Sequence, residues 1–197
     1  MRERPILFTA PMVRSILDDR KTMTRRVMKP QPSALVDLNG GFYPTDDNGD
    51  FIPQSKHYAD GGHFLRGVAS DFCSYGAIGD RLWVRETVWM YSNREEIAGY
   101  VADCGNRFEH YAHKVPSIHM PRWASRITLE ITNVRVERLH EITEEDAEKE
   151  GVSFTQYTNA NARLHFMELW DSIYGNKYPW ASNPWVFVIS FKKLDKA

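Results

Sequence analysis

Apolar positions repeat with two different periods along this 197-residue chain, and each change of period marks the border of an element. Ile6, Leu7 and Phe8 followed by Thr9 read as a short strand. Pro11 then suits the first turn of a helix, where its missing N–H has no partner to lose. Met12, Val13, Ile16 and Leu17 recur at helical spacing and carry that helix to an end near Arg20. Thr22-Met23-Thr24-Arg25-Arg26-Val27 has no helical stripe and is rich in β-formers, so it predicts a second strand leaving the helix by a tight turn at 19–21. Gly79-Asp80 is a turn, and residues 81–89 form one aromatic, β-branched strand. Residues 127–139 hold the longest strand signal. Ile127, Leu129 and Ile131 share one phase and Val134 and Val136 the other, which predicts a bulge near Asn133.

Thr143 before Glu144, Glu145 and Asp146 is a capped helix start, and Gly151 suits the residue after its end. A second helix over 161–174 is capped by Asn161 and carries Phe166, Leu169, Trp170 and Ile173 on one face. In the closing strand, 185–191, Trp185, Phe187, Ile189 and Phe191 point one way; Trp170 and Trp185 are expected to be buried. Strands dominate and no regular βαβ repeat occurs. The predicted class is α+β: one domain over 1–197, a small mixed β-barrel with peripheral helices. Two loop-rich insertions, about 30–76 and 92–122, interrupt it.

A formal net charge of -1 gives no global pull toward polyanions, but the charge is uneven. Residues 1–30 carry eight basic side chains against three acids, while 31–72 and 141–151 are acidic. The basic segment either holds a phosphate locally or lies against the acidic ones. No apolar run is long enough to span a bilayer and the first residues show no targeting pattern, so a cytoplasmic protein without membrane contact is expected. Cys73 and Cys104 are read as free thiols. The histidines have no metal-ligand spacing, and no dinucleotide, P-loop or Gly-x-Ser-x-Gly string is present. Neither metal nor organic cofactor is predicted.

The densest chemistry is Arg20-Lys21-Thr22-Met23-Thr24-Arg25-Arg26. A threonine hydroxyl attacks only when a base takes its proton, and a lysine is that base only when neutral, a state that nearby Arg20, Arg25 and Arg26 favour. Thr22, Thr24 and Arg26 should share a face. The same string also describes a solvated, positively charged strand edge. Glu150, at the negative end of a short helix, is placed for a general acid, or else belongs to an exposed face on which Glu145 and Lys149 pair. Trp83, Arg85, Trp89, Trp123 and Arg126 bring rings and guanidiniums together, the combination that stacks an unpaired base; alternating strand aromatics equally build cores.

Taken together, residues 5–29, 77–91, 123–152 and 161–194 resemble an ASCH domain, a relative of the PUA-like barrels. Pro116-Ser117-Ile118-His119-Met120-Pro121-Arg122-Trp123-Ala124-Ser125-Arg126-Ile127 is similar to the longer ASCH proteins of phages and prophages. That family's Gly-x-Lys-x-x-Glu-x-Arg signature is kept here at Lys21 and Arg26, with Asp19 at the glycine and Thr24 at the glutamate. A threonine there resembles the small bacterial ASCH enzymes that remove the acetyl group from N4-acetylcytidine. The resemblance implies an amidohydrolase acting on an N4-acylated cytosine nucleoside or related base, with Lys21 as base, Thr24 as nucleophile and Glu150 as acid. Arg26 and the Trp83, Arg85, Trp89, Trp123 and Arg126 group would hold the substrate. Two other activities fit the family: a PUA-like module that binds RNA without catalysis, and a ribonuclease on single-stranded RNA.

Overall fold

In the computed structural model, which describes residues 1–38, 41–48, 73–92, 95–152 and 161–195, five strands pair in the order β1-β5-β9-β10-β2. They are β1 (Glu3–Leu7), β2 (Met23–Val27), β5 (Arg81–Arg85), β9 (Thr128–Arg138) and β10 (Trp185–Leu194). Only β1 and β5 run parallel; the other pairs are antiparallel. Much of the first predicted loop-rich insertion, 49–72, lies outside the described residues.

The class is α+β, as the patterning predicts, but no ladder among the described residues closes the sheet into a barrel: β1 and β2 are its two margins. A side chain spans them instead, Arg26 on β2 donating from Nη2 to the Leu7 carbonyl oxygen at 2.7 Å. Helices cover both faces. On one, α1 (Ala10–Leu17) sets Met12, Val13 and Ile16 against Ile6, Val84, Leu129, Ile131, Phe187 and Ile189. On the other, α3 (Glu144–Lys149) and α4 (Ala162–Tyr174) set Ala147, Phe166 and Trp170 against Met23, Val27, Val186 and Val188. All five residues of β2 are therefore buried, although their polarity reads as a solvated edge.

The helix starts are the predicted ones: Thr143 Oγ1 accepts from Asp146 N at 3.1 Å and Asn161 Oδ1 from Leu164 N at 3.0 Å. The phase slip in β9 is a bulge, since pairing passes from Ser190–Asn133 to Phe191–Ile131 and leaves Thr132 over. Three expectations need correction. Residues 81–89 are not one strand: β5 stops at Arg85, and β6 (Val88–Met90) joins β7 (Ile97–Tyr100) and β8 (His113–Val115) in a separate sheet. Glu86, between them, is buried in phase with Leu82, Val84 and Val88, so the alternation runs on through the break; what changes is the pairing, β5 lying between β1 and β9 and β6 between β7 and β8. Within the stretches read as irregular lie the hairpin of β3 (Ala34–Leu38) and β4 (Gly41–Thr45), β7, β8 and α2 (Val101–Cys104), elements too short for a period to register. Trp185 is only half-buried, its ring covered by the Arg138 guanidinium at 4.2 Å. No described helix is long and apolar enough to cross a membrane.

Candidate active site

The turn from α1 into β2 is built by backbone geometry that the sequence partly announces. Asp19, where the ASCH signature has glycine, takes a left-handed φ of 57°. Arg20 N and Lys21 N then both donate to the Ser15 carbonyl at 2.9 Å, which reverses the chain and aims Lys21 inward. The end of α3 docks on this turn. Thr22 N donates to Lys149 O at 2.9 Å, and Ser15 Oγ donates to Gly151 O at 3.0 Å. Gly151 has φ +80°, and a Cβ on it would lie 2.7 Å from Ser15 Cβ and 2.8 Å from Lys21 Cβ. Gly151→Ala is accordingly expected to cost about 1–3 kcal/mol in urea unfolding, from the positive φ together with the overlap.

Lys21 is 2% exposed. Its Nζ donates to the Glu150 backbone oxygen at 2.8 Å and to Glu150 Oε2 at 2.7 Å, so one amine closes the C-terminal end of α3 and pairs with the side chain of the residue that caps it. Burial lowers the proton affinity of Lys21 below that of an ordinary lysine; Glu150 opposes this, and Arg26 and Arg25 add to it. Arg20 does not contribute as the sequence suggested: it is exposed and holds Asp18 at 2.9 Å. Arg25 touches the other Glu150 oxygen, Nη1 to Oε1 at 3.4 Å, and its Nη2 reaches Glu137 at 2.6 Å and Asp146 at 2.7 Å. Arg135 holds both of those carboxylates in turn. Three elements, β2, β9 and α3, are thereby pinned around Glu150.

Thr24, Arg25, Arg26 and Glu150 line one narrow pocket with Met12, Phe166, Leu169, Trp170, Ile173 and Tyr174. Thr24 is buried and its hydroxyl makes no hydrogen bond among the described residues. Thr22, expected to share its face, is exposed instead, because it sits in the turn before β2. The free room in the pocket is about 10 Å³. That is on the order of one water-sized sphere, so a substrate must displace part of the wall. Met12, Arg26, Ile173 and Tyr174 also border a wider cleft of about 430 Å³, completed by Leu7, Phe8, Thr9, Ala10, Tyr75, Thr87 and Ser117. Arg26 stands at the partition. It donates to Tyr174 Oη at 3.2 Å, and its guanidinium lies over the Phe8 ring at 5.1 Å.

Thr24, Arg26 and Glu150 thus share the pocket wall, and Lys21 meets it through Glu150, with no hydrogen bond to Thr24 among the described residues, while the other predicted substrate residues line neither space. Trp89 is 4% exposed and donates from Nε1 to Gly105 O, which leaves no ring face for a base. Arg126 is bound to Glu86, with Nε–Oε1 at 2.8 Å, and to Asp103, and it covers Tyr100 at 3.9 Å; it is a strut between the β5–β6 link and α2. Trp83 and Arg85 face outward from β5, and Trp123 is exposed on the short helical turn Arg122–Ala124. The rings that do line the cavity are Phe8, Tyr75, Phe166, Trp170 and Tyr174. Phe166, Trp170 and Tyr174 repeat at four-residue spacing and read as core; the hydroxyl at the end of that stripe is the one signal of a polar rim. Cys73 and Cys104 are free, and no group of three metal-ligating side chains occurs among the described residues.

No protein-family model and no curated protein matches this chain. Among solved structures the chain is similar to an ASCH domain from Lactobacillus crispatus JV V101, with 10% identity and a TM-score of 0.40 over 98% of this chain and 79% of that one.

Proposed function

We propose that this protein is an amidohydrolase that removes an acyl group from the exocyclic amine of a cytosine-type base. The observation that carries the reading is the buried Lys21–Glu150 pair at 2.7 Å, in contact with a pocket that also holds the unpartnered Thr24 hydroxyl. Burial first, and Arg26 and Arg25 after it, lower the proton affinity of the Lys21 amine against the pull of Glu150, the direction a general base requires.

In this reading the acylated base enters from the wide cleft and displaces the Tyr174 side of the wall. Lys21 Nζ turns from Glu150 toward Thr24 and takes its proton, and the Thr24 oxygen attacks the acyl carbonyl. Arg26 spends one N–H on Tyr174 and one on Leu7, which leaves other N–H groups for the developing oxyanion. The proton held by Lys21 passes along the short bond to Glu150, which delivers it to the departing amine as the C–N bond breaks. Water then attacks the threonine ester, returning a proton to Thr24 and releasing the carboxylic acid. Charge balances over the acylation, since the proton taken from Thr24 passes through Lys21 and Glu150 and ends on the departing amine.

The test is release of acetate from N4-acetylcytidine by the purified protein and by Thr24→Ala, Lys21→Met and Glu150→Gln. The expected result is turnover by the parent chain and a loss of at least about 100-fold in each variant. Turnover that survives Thr24→Ala removes threonine as the nucleophile, and no turnover by the parent chain removes the activity.

A further inference from the structure

Lys21 is buried, yet the turn that aims it inward is held from the surface. α1 stops with a paired set of backbone hydrogen bonds: Asp19 N donates to Ile16 O at 3.1 Å and Arg20 N to Ser15 O at 2.9 Å. That stop needs a left-handed residue at its corner, a place glycine usually fills because a Cβ there crowds the following carbonyl oxygen. Asp19 occupies the corner with φ 57° and so carries a conformational cost that glycine would not.

Lys193, near the end of β10 and opposite Leu129 of β9, offsets that cost from another element. Its Nζ pairs with Asp19 Oδ1 at 2.8 Å and donates to Leu17 O at 3.0 Å. Leu17 closes α1, so its carbonyl oxygen is one of those that a helix end leaves without a helical partner. One amine thus fastens the side chain of the left-handed residue to the helix it ends, with its charge facing the negative end of that helix. An exposed ion pair by itself contributes little, and the Asp19 side chain is 73% exposed. The weight of this pair lies in the backbone conformation it holds. The turn has little slack: Lys21 N also donates to Ser15 O at 2.9 Å, and a Cβ on Gly151 would lie 2.8 Å from Lys21 Cβ. Were Asp19 to relax to a negative φ, Arg20 N and Lys21 N would both leave Ser15, and the Lys21 side chain would lose its aim at Glu150. We infer that Lys193 and Asp19 form a surface clasp that positions Lys21 for the reaction, although neither residue lines the pocket or the cleft. This rests on the proposed deacylation for its effect on turnover, while the hold on the turn stands apart from it.

The experiment uses the full chain with Lys193→Met, which keeps the apolar stem and removes the donors, and the same variant carrying Asp19→Gly as well. The first readout is hydrogen exchange of the Arg20 and Lys21 backbone amides by NMR. In Lys193→Met both are expected to exchange at least about tenfold faster, and the added glycine, which holds a left-handed φ unaided, should return them to within about threefold of the parent chain. The second readout is acetate release from N4-acetylcytidine by fully folded protein. In Lys193→Met kcat should fall at least about tenfold with KM changed less than about twofold, because a misaimed base slows the chemical step without weakening binding. The added glycine should restore kcat. A pair that only adds stability gives neither that split nor a rescue by removal of its second member. Unchanged amide exchange in Lys193→Met overturns the inference whatever the turnover, and so does faster exchange that glycine does not repair. Exchange that follows the expected pattern beside an unchanged kcat overturns the positioning role. The expected exchange pattern with no acetate released even by the parent chain sustains the hold on Lys21 and overturns the deacylation alone.

Discussion

Lys21→Met is expected to lower stability by about 3–5 kcal/mol in urea unfolding and to abolish turnover, because it leaves the buried Glu150 carboxylate with only the long 3.4 Å contact to Arg25. The two effects separate in the double variant Lys21→Met/Glu150→Leu. With both members of the pair gone no buried carboxylate has lost its amine, and Arg25 keeps Glu137 and Asp146, so much of the stability should return, while turnover stays absent. A double variant that remains as unstable as the single one excludes the stranded carboxylate as the cause. The pH dependence has a definite sign. The folded chain binds the Lys21 proton less tightly than the ordinary lysine value of 10.5 in the unfolded chain, through burial first and the two arginines after it. Between the lowered folded value and 10.5 the unfolded chain holds more protons, so this group's contribution to stability rises with pH across that window and levels off above it. Turnover should rise over the same limb as the amine becomes neutral. In Lys21→Met the rise in stability should vanish, which unfolding at neutral pH and near pH 10 checks.

Arg25→Met is the second large effect. Arg25 holds Glu137, Asp146 and Glu150 at once, and its own side chain is wholly buried. Its removal leaves three carboxylates with only Arg135 and Lys21 between them, so a loss of about 3–5 kcal/mol is expected. Asp146→Asn should cost less, since Glu137 still holds Arg25 through two nitrogens, Nε at 3.0 Å and Nη2 at 2.6 Å. The guanidinium also lies over the Phe166 ring at 5.8 Å, so methionine, which refills that contact, separates lost charge from lost packing. If Arg25→Met unfolds at the same urea concentration as the parent chain, the lattice holds nothing together and Glu150 is positioned by Lys21 alone.

What the sequence determined by itself is local. The 3.6-residue stripes at Met12 to Leu17 and Phe166 to Ile173, the hydroxyl and amide caps at Thr143 and Asn161, and the slipped alternation around Asn133 each encode an element within a few neighbouring residues. Those elements are where they are predicted. Lys21 and Thr24 stand three residues apart at one junction, but their spacing alone also describes a charged strand edge; their proposed roles, like that of Glu150 far along the chain, come from likeness to a family pattern.

The tertiary structure alone decided environment. Nothing in Thr22-Met23-Thr24-Arg25-Arg26-Val27 distinguishes a charged edge in water from a strand enclosed between α1 and α4; the answer comes from residues more than 130 positions away, such as Phe166 and Trp170. The same holds for Arg25, whose three carboxylate partners lie on β9 and α3, and for Arg126, whose pairing with Glu86 and Asp103 turned an expected base-binding side chain into a strut. Periodicity reports which way a side chain points from its own element. Burial, proton affinity and the walls of a cavity depend on what other elements bring to meet it, and those distances are not written in spacing along the chain.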